Sequence, residues 1–403
     1  MLNFLKFESI NLVTLTSYSS QLSFIITQQF FINEKKERNK YPKDIYLVFI
    51  FPSTSDPYAN NSVEIKKFFK SYKNNRDSKI FVIKTLKIWQ RVLLSPLFYM
   101  FKILINKPIY LWQARYKMLE DSLKFNPRIF LKLKINVPVP KFKLVLFGDG
   151  FLSLMPVKRA FWLEQNNKKD YLNHSKLYKS YHLYSAGNNF NKYKSKKLCP
   201  NKIKKYLKIY LKNEYDLKLI NCLDQFFNRN FINKKFNTFY FFPTTTFFET
   251  GRTSLESEIN LYKDFLKKSK IKNCSDLIIK PHPASSYEKN YRFFKSIEND
   301  DFFKSKNIID PYQGNDKLIF SHISLELLIT YLFIKSKEVN ISRNIILACC
   351  STATISVKNL YPSLILEQAF GRSLLKKYLY PSFINQRLTQ EYLINNLIKN
   401  LES

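Results

Sequence analysis

The sequence predicts an α/β protein built as two lobes facing each other across a cleft. Three observations carry that expectation. Short apolar runs alternate with longer helical patterns in both halves, several of those runs end at Gly, Pro, Ser or Thr, and the 403 residues exceed the roughly 250–300 that one core usually serves. Regular alternation of β and α material favours a parallel sheet covered by helices.

Taken in order, Ile10–Thr16 reads as a strand, Ser19–Phe31 as a helix, and Ile45–Phe51 and Ile80–Ile83 as strands. Aromatic-rich helical material is expected over about Leu86–Leu123. Within it Val92–Ile105 is the nearest approach to a membrane span, but Ser95, Pro96 and Lys102 interrupt it, and a buried or interfacial helix is the expectation. Lys143–Phe147 is a strand that runs into Gly148-Asp149-Gly150. The segment 166–212 is rich in Lys, Asn and Tyr and reads as a solvated loop or helix face, or as a docking surface for a polyanion. Lys218–Cys222 is expected as a further strand and Asn228–Asn237 as a polar connection, which sets two domains, 1–225 and 238–403. The second half repeats the alternation: strand Thr238–Phe242, helix Ser254–Lys268, strand Leu277–Lys280, helix Tyr287–Ile297, strand Asn307–Ile309, helix Ser324–Phe333, strand Asn344–Ala348 and a final amphipathic helix Gln390–Leu401.

With 45% hydrophobic and 16% aromatic residues the chain can bury a large core, which excludes global disorder. The formal net charge of +35 points toward nucleic acid, an anionic membrane or an acidic substrate. The excess of Lys, Asn, Ile, Phe and Tyr over Gly and Pro is also what A+T-rich coding produces, so only part of that charge reports on a partner. Five cysteines, odd in number and without a CxxC pair, imply a reducing compartment. No secretory leader pattern is visible. A cytoplasmic protein is expected, with peripheral contact with the inner membrane left open.

The chemistry concentrates at three strand ends. In Asp276-Leu277-Ile278-Ile279-Lys280-Pro281-His282-Pro283 an apolar strand delivers Lys280 and His282 into a loop stiffened by two prolines, at the sheet edge where open α/β sheets bind ligands. A rigid turn is the plainer reading of the same residues. Two of the six glycines, Gly148 and Gly150, bracket Asp149, which reads either as a tight turn or as a general base held at a strand end. Cys350-Ser351-Thr352-Ala353-Thr354 opens a helix after an apolar strand, and its hydroxyls and free amides suit either an ordinary cap or a phosphate. A base, a histidine acid and a phosphate cradle fit a group transfer with a phosphate leaving group. No GxGxxG, Walker A or GxSxG sequence is present, and no DxD-type acidic pair follows a strand, so neither a nicotinamide cofactor nor a metal is indicated.

These motifs, in this order, resemble those of the bacterial sialyltransferases and α-2,8-polysialyltransferases: an acidic-acidic-Gly motif, an HP motif and a Ser-Ser/Thr motif. Thr14-Leu15-Thr16-Ser17 with Gln21 is similar to that family's opening strand and turn. Phe242-Pro243, Glu249-Thr250-Gly251-Arg252 and Glu256-Ser257-Glu258 are similar to the segment before its HP strand. The resemblance implies two Rossmann-like lobes of the GT-B type, an N-terminal acceptor side and a C-terminal donor side, CMP-activated sialic acid as donor, no metal, and inversion at the anomeric carbon. By position it makes Asp149 the base, His282 the acid on the CMP phosphate, and Ser351 and Thr352 the phosphate ligands. Glu326 would hold the ribose, Lys280 would lie near the cytosine, and Gly148, Gly150 and Gly251 would shape supporting loops. One departure stands out, since Gly148 occupies the position of the motif's first acid. The acceptor implied is a hydroxyl of a cell-surface glycan, capsule or lipooligosaccharide, with an anionic or lipid-linked acceptor compatible with the basic segment. A transferase of another activated sugar and a basic nucleic-acid-binding protein are the competing readings, and helix-face packing is the competing reading of Glu326.

Overall fold

In the computed structural model the described residues are seven strands of the N-terminal half (9–15, 44–50, 79–83, 109–113, 142–146, 175–182 and 195–197) and residues 199–212, 217–231, 237–274, 276–282, 285–309, 323–338, 343–351 and 353–402. The chain divides into two compact units, the first running to Cys199 and the second beginning at Pro200.

The first unit carries strands β1 (Ser9–Leu15), β2 (Asp44–Ile50), β3 (Lys79–Ile83), β4 (Ile109–Gln113), β5 (Phe142–Leu146), β6 (Ser175–His182) and β7 (Ser195–Lys197). They form one parallel sheet in the order β3-β2-β1-β4-β5-β6-β7. The expected strands at 10–16, 45–51, 80–83 and 143–147 are present within a residue of their predicted bounds. The helical expectation over Leu86–Leu123 is corrected by β4: Ile109-Tyr110-Leu111-Trp112 is a β-branched and aromatic run just after Pro108, and it pairs with β1 in register Leu12 to Leu111. The expected helices at 19–31 and 92–105 lie outside the described residues. Part of the basic segment 166–212 also enters the sheet, as β6 and β7.

The second unit contains α1 (Pro200–Lys212), α2 (Leu217–Phe231), β8 (Asn237–Pro243), α3 (Leu255–Lys268), β9 (Asp276–Lys280), α4 (Tyr287–Glu298), β10 (Asn307–Ile309), α5 (Leu325–Glu338), β11 (Arg343–Ala348), α6 (Ala353–Leu360), β12 (Ile365–Glu367), α7 (Gly371–Tyr378) and α8 (Pro381–Glu402). Its strands form a parallel sheet in the order β10-β9-β8-β11-β12. Both sheets therefore follow the doubly wound pattern in which strand order reverses beside the first strand. Two Rossmann-like α/β units in one chain are the composition of a GT-B fold.

Two expectations about this half change. Lys218–Cys222 is helical rather than a strand, because Leu223, Phe226 and Phe227 continue it at helical spacing and are buried. The division falls at Pro200 rather than at Asn228–Asn237, because α1 packs on α5 and α6, and α2 packs on α5. In α1, Ile203, Leu207 and Leu211 are buried while Lys202, Lys205 and Lys208 are exposed. That part of the basic segment is the polar face of an amphipathic helix.

β8 from Phe239 to Pro243 and β9 along its full length are buried, as central parallel strands require. One face of the sheet contributes Tyr240, Phe242, Leu277, Ile279, Ile346 and Ala348 to a core closed by Leu261, Tyr262, Phe265 and Leu266 of α3 and Phe293 and Ile297 of α4. Phe242 sits at its centre, with ring centroids of Tyr262, Phe265 and Phe293 at 5.1, 5.8 and 5.9 Å. Phe242→Ala is expected to cost about 3–5 kcal/mol, measured as a lowered denaturant midpoint in equilibrium unfolding.

Candidate functional site

Because all strands of the second sheet are parallel, the carboxyl ends of β9, β8 and β11 open on one edge. Order reverses between β8 and β11, and that crevice is where doubly wound sheets bind ligands. Three loops leave this edge: Thr244–Ser254 after β8, Pro281–Ser286 after β9, and Cys349–Ser351 after β11. The first two are stitched together at their roots. The Thr244 amide donates to the Lys280 carbonyl at 3.0 Å, and the His282 amide donates to the Thr244 hydroxyl at 2.9 Å. The His282 carbonyl also accepts from the Ser285 amide at 2.9 Å, so the backbone on both sides of the histidine is held.

A buried ion cluster fixes the first loop from below. Lys289 of α4 and Glu258 of α3 have fully buried side chains, with Lys289 Nζ 3.1 Å from Glu258 Oε2 and 2.7 Å from Glu249 Oε2. Glu258 accepts the amides of Phe247 at 3.2 Å and Phe248 at 2.7 Å, the Thr245 hydroxyl at 2.8 Å, and the Tyr262 hydroxyl. Lys289 also donates to the Thr245 carbonyl at 2.7 Å. Glu249 reaches across to accept the Ser286 amide at 2.7 Å, tying the first loop to the second. Burial alone would raise the Glu249 carboxyl, but the Lys289 ammonium and these hydrogen bonds outweigh it and hold it below the usual range. At the far side of the loop Gly251 adopts φ +67°, a left-handed turn that favours glycine.

Lys280 ends β9 with its side chain buried and its Nζ donating to the Pro281 carbonyl at 2.8 Å. Burial lowers its amine to about 7, against the opposing pull of Glu326. Glu326, in the first turn of α5, is also buried. Its carboxyl is raised by burial, a shift that the Ser356 hydroxyl bond and the Lys280 charge only partly offset. The packing reading of Glu326 is thus half met: it lies in a buried setting, and its polar partners include Ser324 at the start of its own helix as well as Ser356 of α6 and the Lys280 charge at the end of β9. Ser351 is half-buried at the start of α6. Its hydroxyl accepts from the Ala353 amide at 3.4 Å and its carbonyl from the Thr354 amide at 3.2 Å, the arrangement of a helix cap.

The described structure therefore brings Lys280, His282, Glu326, Ser351 and Gly251 to one edge of one sheet. Asp149, Gly148, Gly150 and Thr352 lie outside the described residues, as do Thr16, Ser17, Gln21 and Pro283. Sequence reasoning assigned no role to Thr244, Ser356 or the Lys289–Glu258–Glu249 cluster. Thr244 has a signal, a hydroxyl directly after a buried strand that ends in proline. Ser356 and Lys289 have none, since each looks like an ordinary helix residue until its partners from other elements are known.

No family model and no curated protein matches the chain. Among solved structures, the chain is similar to the UDP-GlcNAc 2-epimerase of Methanocaldococcus jannaschii, at 12% identity and TM-score 0.45 over 92% of this chain and 86% of that one. It is similar to WaaG, a glycosyltransferase involved in lipopolysaccharide biosynthesis, at 8% identity and TM-score 0.34 over 98% and 95%. A third likeness is to the UDP-forming α,α-trehalose-phosphate synthase of Burkholderia vietnamiensis, at 7% identity and TM-score 0.36 over 98% and 96%. At these values none of them carries chemistry to this chain.

Two outcomes follow from the site's electrostatics. Lys289→Met leaves two carboxylates, one of them fully buried, without their cation, and is expected to destabilise the fold by about 3–5 kcal/mol. Thermal unfolding of that variant beside Lys289→Met/Glu258→Gln checks it, the second change restoring part of the loss. For Lys280, the folded chain binds the proton more weakly than the unfolded one. Between about pH 7 and the ordinary lysine range near 10.4, the unfolded chain carries a proton that the folded chain lacks, so this residue makes stability rise with pH. Denaturant unfolding at pH 7 and pH 9.5 is expected to show a smaller rise in Lys280→Met than in the natural protein.

Proposed function

We propose that this chain is an inverting, metal-independent sialyltransferase that moves sialic acid from CMP-sialic acid to a hydroxyl of a cell-surface glycan such as a capsule or lipooligosaccharide. The observation that supports it best is the gathering of Lys280, His282, Glu326 and Ser351 at the carboxyl edge of the second sheet, at its switch point. Those are positions to which the resemblance assigns donor-binding roles and, at His282, the acid, and they come from the ends of two strands and from one helix, far apart in sequence.

In this reading the acceptor hydroxyl loses its proton to Asp149 as its oxygen attacks the anomeric carbon. The bond from that carbon to the CMP phosphate oxygen breaks through an oxocarbenium-like state, and attack from the opposite face inverts the centre. His282 donates a proton to the departing phosphate, while Ser351, Thr352 and the amides opening α6 receive its charge. A nucleoside monophosphate carries less charge than a diphosphate, and a histidine with a helix N-terminus can serve where a metal would otherwise be needed. Lys280, with its amine near neutrality at about 7, can donate a hydrogen bond to a cytosine without burying a full cation. Glu326, oriented by Ser356, is the acceptor for ribose hydroxyls. We place the protein in the cytoplasm, where CMP-sugars and reduced thiols are available, acting on an acceptor at the inner membrane.

A thermal-shift titration with CMP, UMP, GMP and AMP tests the donor class without knowledge of the acceptor. A ligand at a hundred times its dissociation constant adds about 2.7 kcal/mol. Selective stabilisation by CMP is expected, and His282→Ala is expected to fold and to lower transfer from CMP-sialic acid by about 10²–10⁴-fold. Preference for UMP or GMP would assign another activated donor, and steep salt-sensitive binding of RNA or DNA that ignores His282 would favour a nucleic-acid partner instead.

A further inference from the structure

Arg252 follows Gly251 in the loop that leaves β8, is half-buried, and has no acidic partner among the described residues. Its guanidinium lies 5.9 Å from the ring centroid of Phe383 in α8. Phe383 and Arg387 are one helical turn apart and share a face of α8, so Arg252 stands beside a second arginine. Arg387 is buried between Phe247 and Phe370, with centroid distances of 5.1 and 5.7 Å. Its guanidinium donates to Glu391 Oε1 at 3.1 Å and to the Cys350 carbonyl at 3.1 Å, and Glu391 is held in turn by the Gly371 amide at 2.9 Å.

Among the described residues the charges do not balance. Glu391 neutralises Arg387, while Arg252 is matched there by an aromatic face alone. Burial, and then repulsion from Arg387, pull the Arg252 guanidinium below its ordinary value. A half-buried cation without a counter-ion is unfavourable, and an oxyanion would relieve it. The position is also informative. Arg252 hangs from the loop after β8, its amide donating to the Phe247 carbonyl at 2.8 Å, and Arg387 clasps the last residue before Ser351 in the loop after β11. These are the two loops that bound the switch-point crevice.

We propose that Arg252, with Arg387 as its positioning partner, is an anion seat of the crevice between β8 and β11, receiving a phosphate or a carboxylate of the bound ligand. The identity of that ligand rests on the donor reading above, whereas the seat itself does not.

The probes are inorganic phosphate against chloride at equal ionic strength, then CMP, cytidine and free sialic acid, each applied to the natural protein and to Arg252→Gln. The variant is expected to melt at the same temperature as the natural protein or higher, because an unpaired cation has been removed, and to lose the stabilisation by phosphate. If its affinity for CMP falls about 10- to 100-fold while cytidine binds unchanged, the seat holds the phosphate. If CMP binds unchanged and sialic acid is lost, it holds the carboxylate. Arg252→Lys, which keeps the charge without the bidentate fork, is expected to recover part of the response. Unfolding of Arg252→Gln, equal oxyanion binding by variant and natural protein, or no oxyanion response by the natural protein overturns the proposal. A natural protein that prefers UMP to CMP but loses its phosphate response in Arg252→Gln overturns the donor reading and leaves the seat standing.

Discussion

The second unit depends on one buried cation. Lys289 has no exposed side-chain surface and is satisfied by Glu258, Glu249 and the Thr245 carbonyl. A buried ion pair seldom stabilises a fold more than well-packed apolar residues would, because desolvation offsets the attraction. What this cluster supplies is position. Through Glu258 it takes up the amides of Phe247 and Phe248, and through Glu249 the amide of Ser286. The loop that carries Arg252 and the loop that carries His282 are thereby fastened to the same ammonium.

Topology does the rest of the assembly. β8 lies between β9 and β11 in an all-parallel sheet, so residues at 244, 282 and 351 emerge at one edge although they are far apart in the chain. The helix α5 inserts Glu326 from outside the strand loops, and α6 meets it with Ser356. Lys280 and Glu326 are then two buried groups of opposite charge whose proton affinities have each moved toward neutrality. Such a pair suits a ligand that offers neutral hydrogen-bonding edges, as a base and a ribose do. In the proposed reading the anion falls to the loops, where Ser351, the start of α6 and the arginine pair stand.

Much of this was legible in the sequence where a signal was local. β8, β9 and β11 are near-continuous apolar runs, as strands buried on both faces must be, and the prolines around His282 mark a stiff strand exit. Legibility failed where structure depends on partners. β4 was hidden because its aromatic residues sit in a longer aromatic stretch that also suits helices. Leu219-Ile220 resembled a strand start until Leu223, Phe226 and Phe227 extended the helical period. The unit boundary followed from which helices α1 and α2 pack on, a tertiary fact. Arg252 and Glu258 were noticed as parts of a motif, yet their roles come from Phe383, Arg387 and Lys289, which no spacing rule connects to them.

The central claim is that the carboxyl edge of the second sheet is a nucleotide site, and hydrogen exchange with and without CMP tests it most directly. The account predicts slowed amide exchange confined to residues 244–254, 280–286, 323–327 and 349–356, with the opposite edge of the same sheet unchanged. Protection centred elsewhere, or none at saturating CMP, would contradict it.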